Sequence, residues 1–101
     1  MVLIYTTYPD KPSALDAGAA LLEHKLICCS NIFSITSQYE WEDKMVTDDE
    51  FGCFFKTTDD QLSSALALIK KNHPYDTPMI SHRQIEMNQA YVDWATTFLL
   101  G

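Results

Sequence analysis

The stretch Ile27-Cys-Cys-Ser-Asn-Ile-Phe-Ser-Ile-Thr-Ser-Gln-Tyr-Glu-Trp41, followed by Glu42-Asp43 and then Lys44-Met-Val-Thr-Asp-Asp-Glu-Phe-Gly-Cys-Phe-Phe-Lys-Thr57, decides the fold. Its period is two. Ile27, Cys29, Phe33, Ile35, Tyr39 and Trp41 fall on one face, and Cys28, Ser30, Ser34, Thr36, Gln38 and Glu40 on the other. Such alternation is the mark of a β-strand. Glu42-Asp43 sits where a tight turn fits, although Asn-Gly would signal it more strongly. A second strand follows over 44–57, with Phe51, Cys53 and Phe55 sharing a face. A strand over 28–41 reaches about 45 Å at roughly 3.3 Å per residue. A body of about 100 residues is only about 34 Å across. The hairpin tip must therefore bend, bulge or leave the body. It carries Tyr39, Trp41, Met45 and Val46, which do not favour water. Pairing with another subunit is the economical solution, since it also covers strand edges.

Outward from the hairpin, the elements alternate. Val2–Thr7 is a short apolar run rich in β-formers, followed by the turn Tyr8-Pro9-Asp10. Asp10 can cap a helix over 11–25, with Pro12 in its first turn. Ala14, Gly18, Leu21, Leu22 and Leu26 form its apolar stripe, where Gly18 allows close approach to a sheet. After the hairpin, Thr58 with Gln61 matches a capping box, and Asp59-Asp60 complement a helix start. Leu62, Ala65, Leu66 and Ile69 make that helix's stripe, and Pro74 and Pro78 end it. Residues 79–87 read as a polar strand suited to an edge or a subunit contact, and Asn88 can cap a last helix bearing Tyr91, Trp94, Ala95, Phe98 and Leu99. The order is βαββαβ plus a C-terminal helix. That is an α+β, ferredoxin-like split βαβ sandwich with a long hairpin for assembly.

The chain has 101 residues, room for a single domain over 1–101. It is 47% hydrophobic and 21% charged, an ordinary globular balance that argues against disorder. The net charge of −7 argues against nucleic acid and anionic membrane surfaces, which need clustered Lys and Arg. No apolar run is long enough to span a bilayer, and a soluble, cytoplasmic protein is expected. Three cysteines, Cys28, Cys29 and Cys53, make no complete set of intrachain disulfides and suit a reducing compartment. Cys28 and Cys29, adjacent on a strand, are expected to point to opposite faces.

Several fragments in this order resemble the CutA family of divalent-cation tolerance proteins. They are Thr7 with Pro9; Lys25-Leu26 leading to Cys29 and Asn31; Ser37-x-Tyr39-x-Trp41 with Lys44; Glu50 leading to Lys56-Thr57; His73-Pro74-Tyr75-x-x-Pro78; and Tyr91-x-x-Trp94. The resemblance covers nearly the whole chain. It implies a ferredoxin-like subunit in a homotrimer, hairpins pairing between subunits, and an architecture similar to PII-type signalling proteins. It also implies a role in tolerance of copper and other divalent ions, with copper binding in some members. This chain departs from the pattern at Thr6, where some members have Cys, and at Met79, where Glu is frequent.

The candidate chemistry follows from these residues. His73 is the candidate ligand for Cu(II) or another divalent cation, with a further ligand from His82, Asp76, Glu86 or a neighbouring subunit. Met79 is a candidate soft ligand for Cu(I). Glu50 and Lys56 share a strand face at even spacing. With Tyr39, Trp41 and Tyr75 they are expected to line an intersubunit cleft. A small-molecule sensor or interaction module using that cleft is the alternative to metal handling. No phosphate loop or nucleophile elbow is present, so a binding protein is expected in place of an enzyme.

Overall fold

A computed structural model describes residues 1–100. The elements run β1 (Val2–Tyr8), α1 (Lys11–Glu23), β2 (Cys29–Trp41), β3 (Lys44–Thr57), α2 (Asp59–Asn72), β4 (Ile80–Gln84) and α3 (Gln89–Leu100). The sheet order is β2-β3-β1-β4, with every neighbouring pair antiparallel. This is the split βαβ arrangement that the period changes predict. The fourth strand is shorter than the expected 79–87 and lies at a sheet edge.

Alternation on β1 separates the two faces of the sheet. Val2, Ile4, Thr6 and Tyr8 are buried, while Leu3, Tyr5 and Thr7 are half-buried on the other side. The buried set packs with Cys53 and Phe55 of β3, Ala14 and Leu21 of α1, and Ala65 and Ile69 of α2. Gly18 lets α1 settle on β2, since a Cβ there would meet Ser30 Oγ at 3.0 Å. The start of α1 is as expected: Ser13 N–H donates to Asp10 Oδ1 at 2.8 Å. Its end is a Schellman turn, with Leu26 N–H bonded to Leu21 O, Lys25 N–H to Leu22 O, and Lys25 at φ 57°. The helix therefore stops two residues short of the expected Lys25. The capping box at α2 does not form: Gln61 N–H takes the Thr58 carbonyl, and the Thr58 hydroxyl caps nothing.

The more apolar face of β2 is not the one under the helices. Ser30, Ile32 and Ser34 pair with Phe55, Cys53 and Phe51 on the helix-covered side. Cys29, Phe33, Ile35, Tyr39 and Trp41 lie on the side away from α1 and α2, where Phe33 meets Phe54 and Tyr5. Ile27 precedes the strand and is fully buried.

The hairpin neither bends out of register nor bulges. Pairing is continuous from Cys29↔Lys56 to Trp41↔Lys44. It leaves the body instead, and the chain measures 48 × 25 × 20 Å. Glu42 and Asp43 both have positive φ, 52° and 64°, the two-residue turn that matches strand twist. Neither residue favours that region as glycine does. Asp43→Gly is expected to stabilise the protein by about 0.5–1 kcal/mol, read as a raised urea midpoint with slower amide exchange near Trp41.

Candidate functional site

The outer half of the hairpin meets residues 75–77 in a depression of about 840 Å³. Tyr39, Trp41 and Tyr75 supply aromatic walls; Asp48, Asp49, Glu50 and Asp76 supply carboxylates. No Lys or Arg is among its lining residues. Glu50 is the fixed point. Its Oε2 accepts from Ser37 Oγ and its Oε1 from Tyr75 Oη, each at 2.6 Å. A carboxylate has about four acceptor positions, so two such bonds orient it and leave lone pairs for a ligand. Tyr39 Oη donates to Asp48 Oδ2. That bond and the nearby carboxylates push the Tyr39 phenol above its ordinary range. Burial first, then the bond to Glu50, does the same to Tyr75.

Tyr75 is held in turn by His73. Thr6 Oγ1 donates to Met79 O at 2.8 Å, so its contact with His73 Nε2 at 3.1 Å is one in which the imidazole donates. His73 Nδ1 accepts from Tyr75 N–H at 3.2 Å. These partners assign a neutral imidazole with its proton on Nε2. The ring also stacks on Tyr8 at 4.4 Å between centroids and 13° between planes. A chain of contacts thus runs from Thr6 in the core through His73 and Tyr75 to Glu50 in the depression, and on to Ser37 behind it.

Burial holds the His73 pKa below its ordinary value. A proton on Nδ1 would also face the Tyr75 N–H, donor against donor. With the folded pKa below the unfolded one, the unfolded state binds more protons as pH falls. The stability that neutral His73 contributes is therefore complete above about pH 6.5 and lost progressively as pH drops below it. Urea midpoints from pH 8 to 5 should fall more steeply for wild type than for His73→Gln. Parallel slopes would show that His73 carries no such linkage.

Of the expected cleft residues, Tyr39, Trp41, Glu50 and Tyr75 come together. Lys56 does not join them within the chain. It shares Glu50's face, as expected, but six residues at about 3.3 Å each put it about 20 Å along the strand. There its ammonium lies 5.4 Å from the Tyr91 ring centroid. His73 has both nitrogens hydrogen-bonded, and its neighbours are Thr6, Tyr8 and Tyr75. The Met79 side chain is half-exposed beyond it. His24 Nδ1 is 2.9 Å from Ala20 O at the end of α1, and His82 is exposed on β4. Among the described residues, no three His, Cys, Asp or Glu side chains gather as a metal site. Ser37 and Tyr8 were not singled out as site residues by their sequence context. The even spacing of Ser37, Tyr39 and Trp41 is the signal that could have found Ser37.

Comparison with known proteins agrees with the fold and the motifs. The family model described as CutA1 divalent ion tolerance protein matches residues 2–97. The divalent-cation tolerance protein CutA of Thermotoga maritima is 39% identical over 95 residues, covering 93% of this chain and 94% of that protein. The crystal structure of the divalent ion tolerance protein CutA1 from Ehrlichia chaffeensis superposes with a TM-score of 0.94 at 40% identity, covering 97% of this chain and 94% of that one. The Archaeoglobus fulgidus CutA, described as a periplasmic divalent cation tolerance protein, gives 0.90 at 34% identity, covering 98% and 99%.

Proposed function

Since the chain belongs to the CutA1 divalent ion tolerance family, we propose that it acts as a homotrimer that takes up a divalent cation at the acidic depression beside the hairpin. The observation that carries the reading is Glu50. Its carboxylate is oriented by Ser37 and Tyr75 and shares a lining free of Lys and Arg with Asp48, Asp49 and Asp76; no three of these gather within one chain, so water or a neighbouring copy completes the ligand set. Such oxygen donors suit hard divalent ions. They do not suit Cu(II), which prefers imidazole nitrogen, and the three histidines of one chain lie on separate elements with His73 already engaged. One chain alone therefore does not fit the copper role that the resemblance implies.

Assembly is supported by the surface that the monomer leaves open. Trp41 and Met45 at the hairpin tip are 66% and 77% exposed. Tyr5, Phe33 and Phe54 form an aromatic group on the face away from α1 and α2, with ring centroids 5.0–6.4 Å apart. Both features favour burial against further copies, and three copies is the number the family resemblance implies. The three free thiols support a cytoplasmic setting.

The test is a titration with Mn(II), read by the paramagnetic signal of the free ion, with subunit number measured by light scattering. A trimer is expected to bind Mn(II), and Glu50→Gln to weaken it by about tenfold or more while remaining trimeric. An intact trimer that binds no Mn(II), or binds it equally well without the Glu50 charge, would overturn the cation reading. The aromatic walls would then favour the small-molecule alternative, tested by screening metabolites for thermal stabilisation that depends on Tyr75.

A further inference from the structure

Where α1 and α2 meet over the end of β1, the structure holds a small cavity of about 10 Å³. Side chains of both helices, Leu21 and Ile69 among them, give it apolar walls; Tyr8 and Asn72 are its polar lining residues. Tyr8 is only 1% exposed, yet its hydroxyl has no hydrogen-bond partner among the described residues. A buried hydroxyl left in that condition destabilises the fold. The ring cannot swing out to reach water without breaking its stack on His73, 4.4 Å between centroids. Burial, with Cys53 adding to it, pushes the phenol pKa well above its ordinary range. The group therefore keeps its proton and offers both a donor and an acceptor.

We propose that this cavity is a binding site for one structural water, held by the Tyr8 hydroxyl and by the last turn of α2. Size and lining both fit water. A bound water needs roughly 10–15 Å³ of such space and two to four polar partners. Ile69 and Asn72 belong to the last turn of α2, where carbonyls have no partner farther along the helix. Those carbonyls and the Asn72 amide are the further partners at hand. Cavities that stay dry are lined by apolar groups alone, and the Tyr8 hydroxyl sets this one apart. The water would tie the end of β1 to the end of α2, just before the chain turns at His73. The site shares no lining residue with the acidic depression, so it stands whatever Mn(II) does there.

The experiment is oxygen-17 relaxation dispersion of the solvent around the full chain, which counts long-lived internal waters and is blind to proton exchange at hydroxyls. The wild type is expected to hold one more long-lived water per chain than Tyr8→Phe, which keeps the ring and its stack. The urea midpoint gives a second reading whose sign decides. Removing an unpartnered hydroxyl from a dry cavity would raise the midpoint, whereas removing the water's main partner should lower it. Equal dispersion in the two proteins, or a raised midpoint for Tyr8→Phe, would overturn the proposal. If Tyr8→Phe fails to fold, a crystal structure of the wild type decides. A solvent oxygen within hydrogen-bond distance of Tyr8 Oη is expected, and a cavity without density would overturn it.

Discussion

Thr6→Val should destabilise the protein by about 2–4 kcal/mol, although the two side chains have nearly the same shape, because it strands two polar groups at a cost of about 1–3 kcal/mol each. Thr6 is fully buried, and its hydroxyl both donates to Met79 O and accepts from His73 Nε2. Valine fills the space and satisfies neither. The valine methyl gains a little from burial, which is why the lower end of the range is retained. The effect should spread beyond stability. Met79 lies between segment 73–78 and β4, and His73 holds Tyr75, whose hydroxyl orients Glu50. Amide exchange at Tyr75 should therefore quicken, and the Mn(II) affinity should fall with it. Thr6→Ser, which keeps the hydroxyl and loses a methyl, should retain the exchange protection. Equal denaturant midpoints for wild type and Thr6→Val would show that the threonine hydroxyl holds nothing in place.

Gly52→Ala should cost about 1–3 kcal/mol by overpacking, although alanine is the better strand residue. A Cβ at Gly52 would stand 2.5 Å from Phe33 Cε2 and 2.8 Å from its Cζ. The Phe33 ring lies across the glycine directly opposite it in the register, an aromatic covering a strand glycine. Moving the ring breaks its stack with Tyr5, 5° between planes, and its tilted contact with Phe54. Because that aromatic group is on the face away from α1 and α2, the loss should appear twice: in the urea midpoint and in the dissociation of the assembly on dilution. Phe33→Leu removes the part of the ring that clashes. In a double-mutant cycle, Gly52→Ala should cost clearly less on the Phe33→Leu background, with a coupling of about 1 kcal/mol or more. A coupling near zero would place the cost of alanine somewhere other than Phe33.

Much of the fold was legible because its signals are local. Alternation from Cys29 to Thr57 follows from the pleat, and the capped start of α1 at Asp10 follows from one side chain reaching three residues on. Even the departure of the hairpin from the body could be read, since strand length is rise times residue number. Less of the site was legible. Parity told that Glu50 and Lys56 share a face, but parity repeats along a strand and does not bring its ends together. Tyr75 was tied to the hairpin by motif alone; only the return of the chain after α2 brings its hydroxyl to Glu50. The role of Thr6 was invisible, because its partners His73 and Met79 lie some seventy residues away.

The sequence by itself determined the elements, their order and the ferredoxin-like plan, because helix and strand periods, turn residues and caps are interactions among near neighbours. It also carried enough fragments in order to point to the family. Tertiary structure alone decided which face of β2 lies under the helices, since both faces alternate equally well and only packing against α1 and α2 breaks the tie. It alone decided that His73 holds a loop through both ring nitrogens, that Lys56 stands by Tyr91, and that the Cys28 thiol lies against the Tyr91 phenol. Each of these depends on groups brought together by chain reversal, where the distance in space is not a function of the distance in sequence.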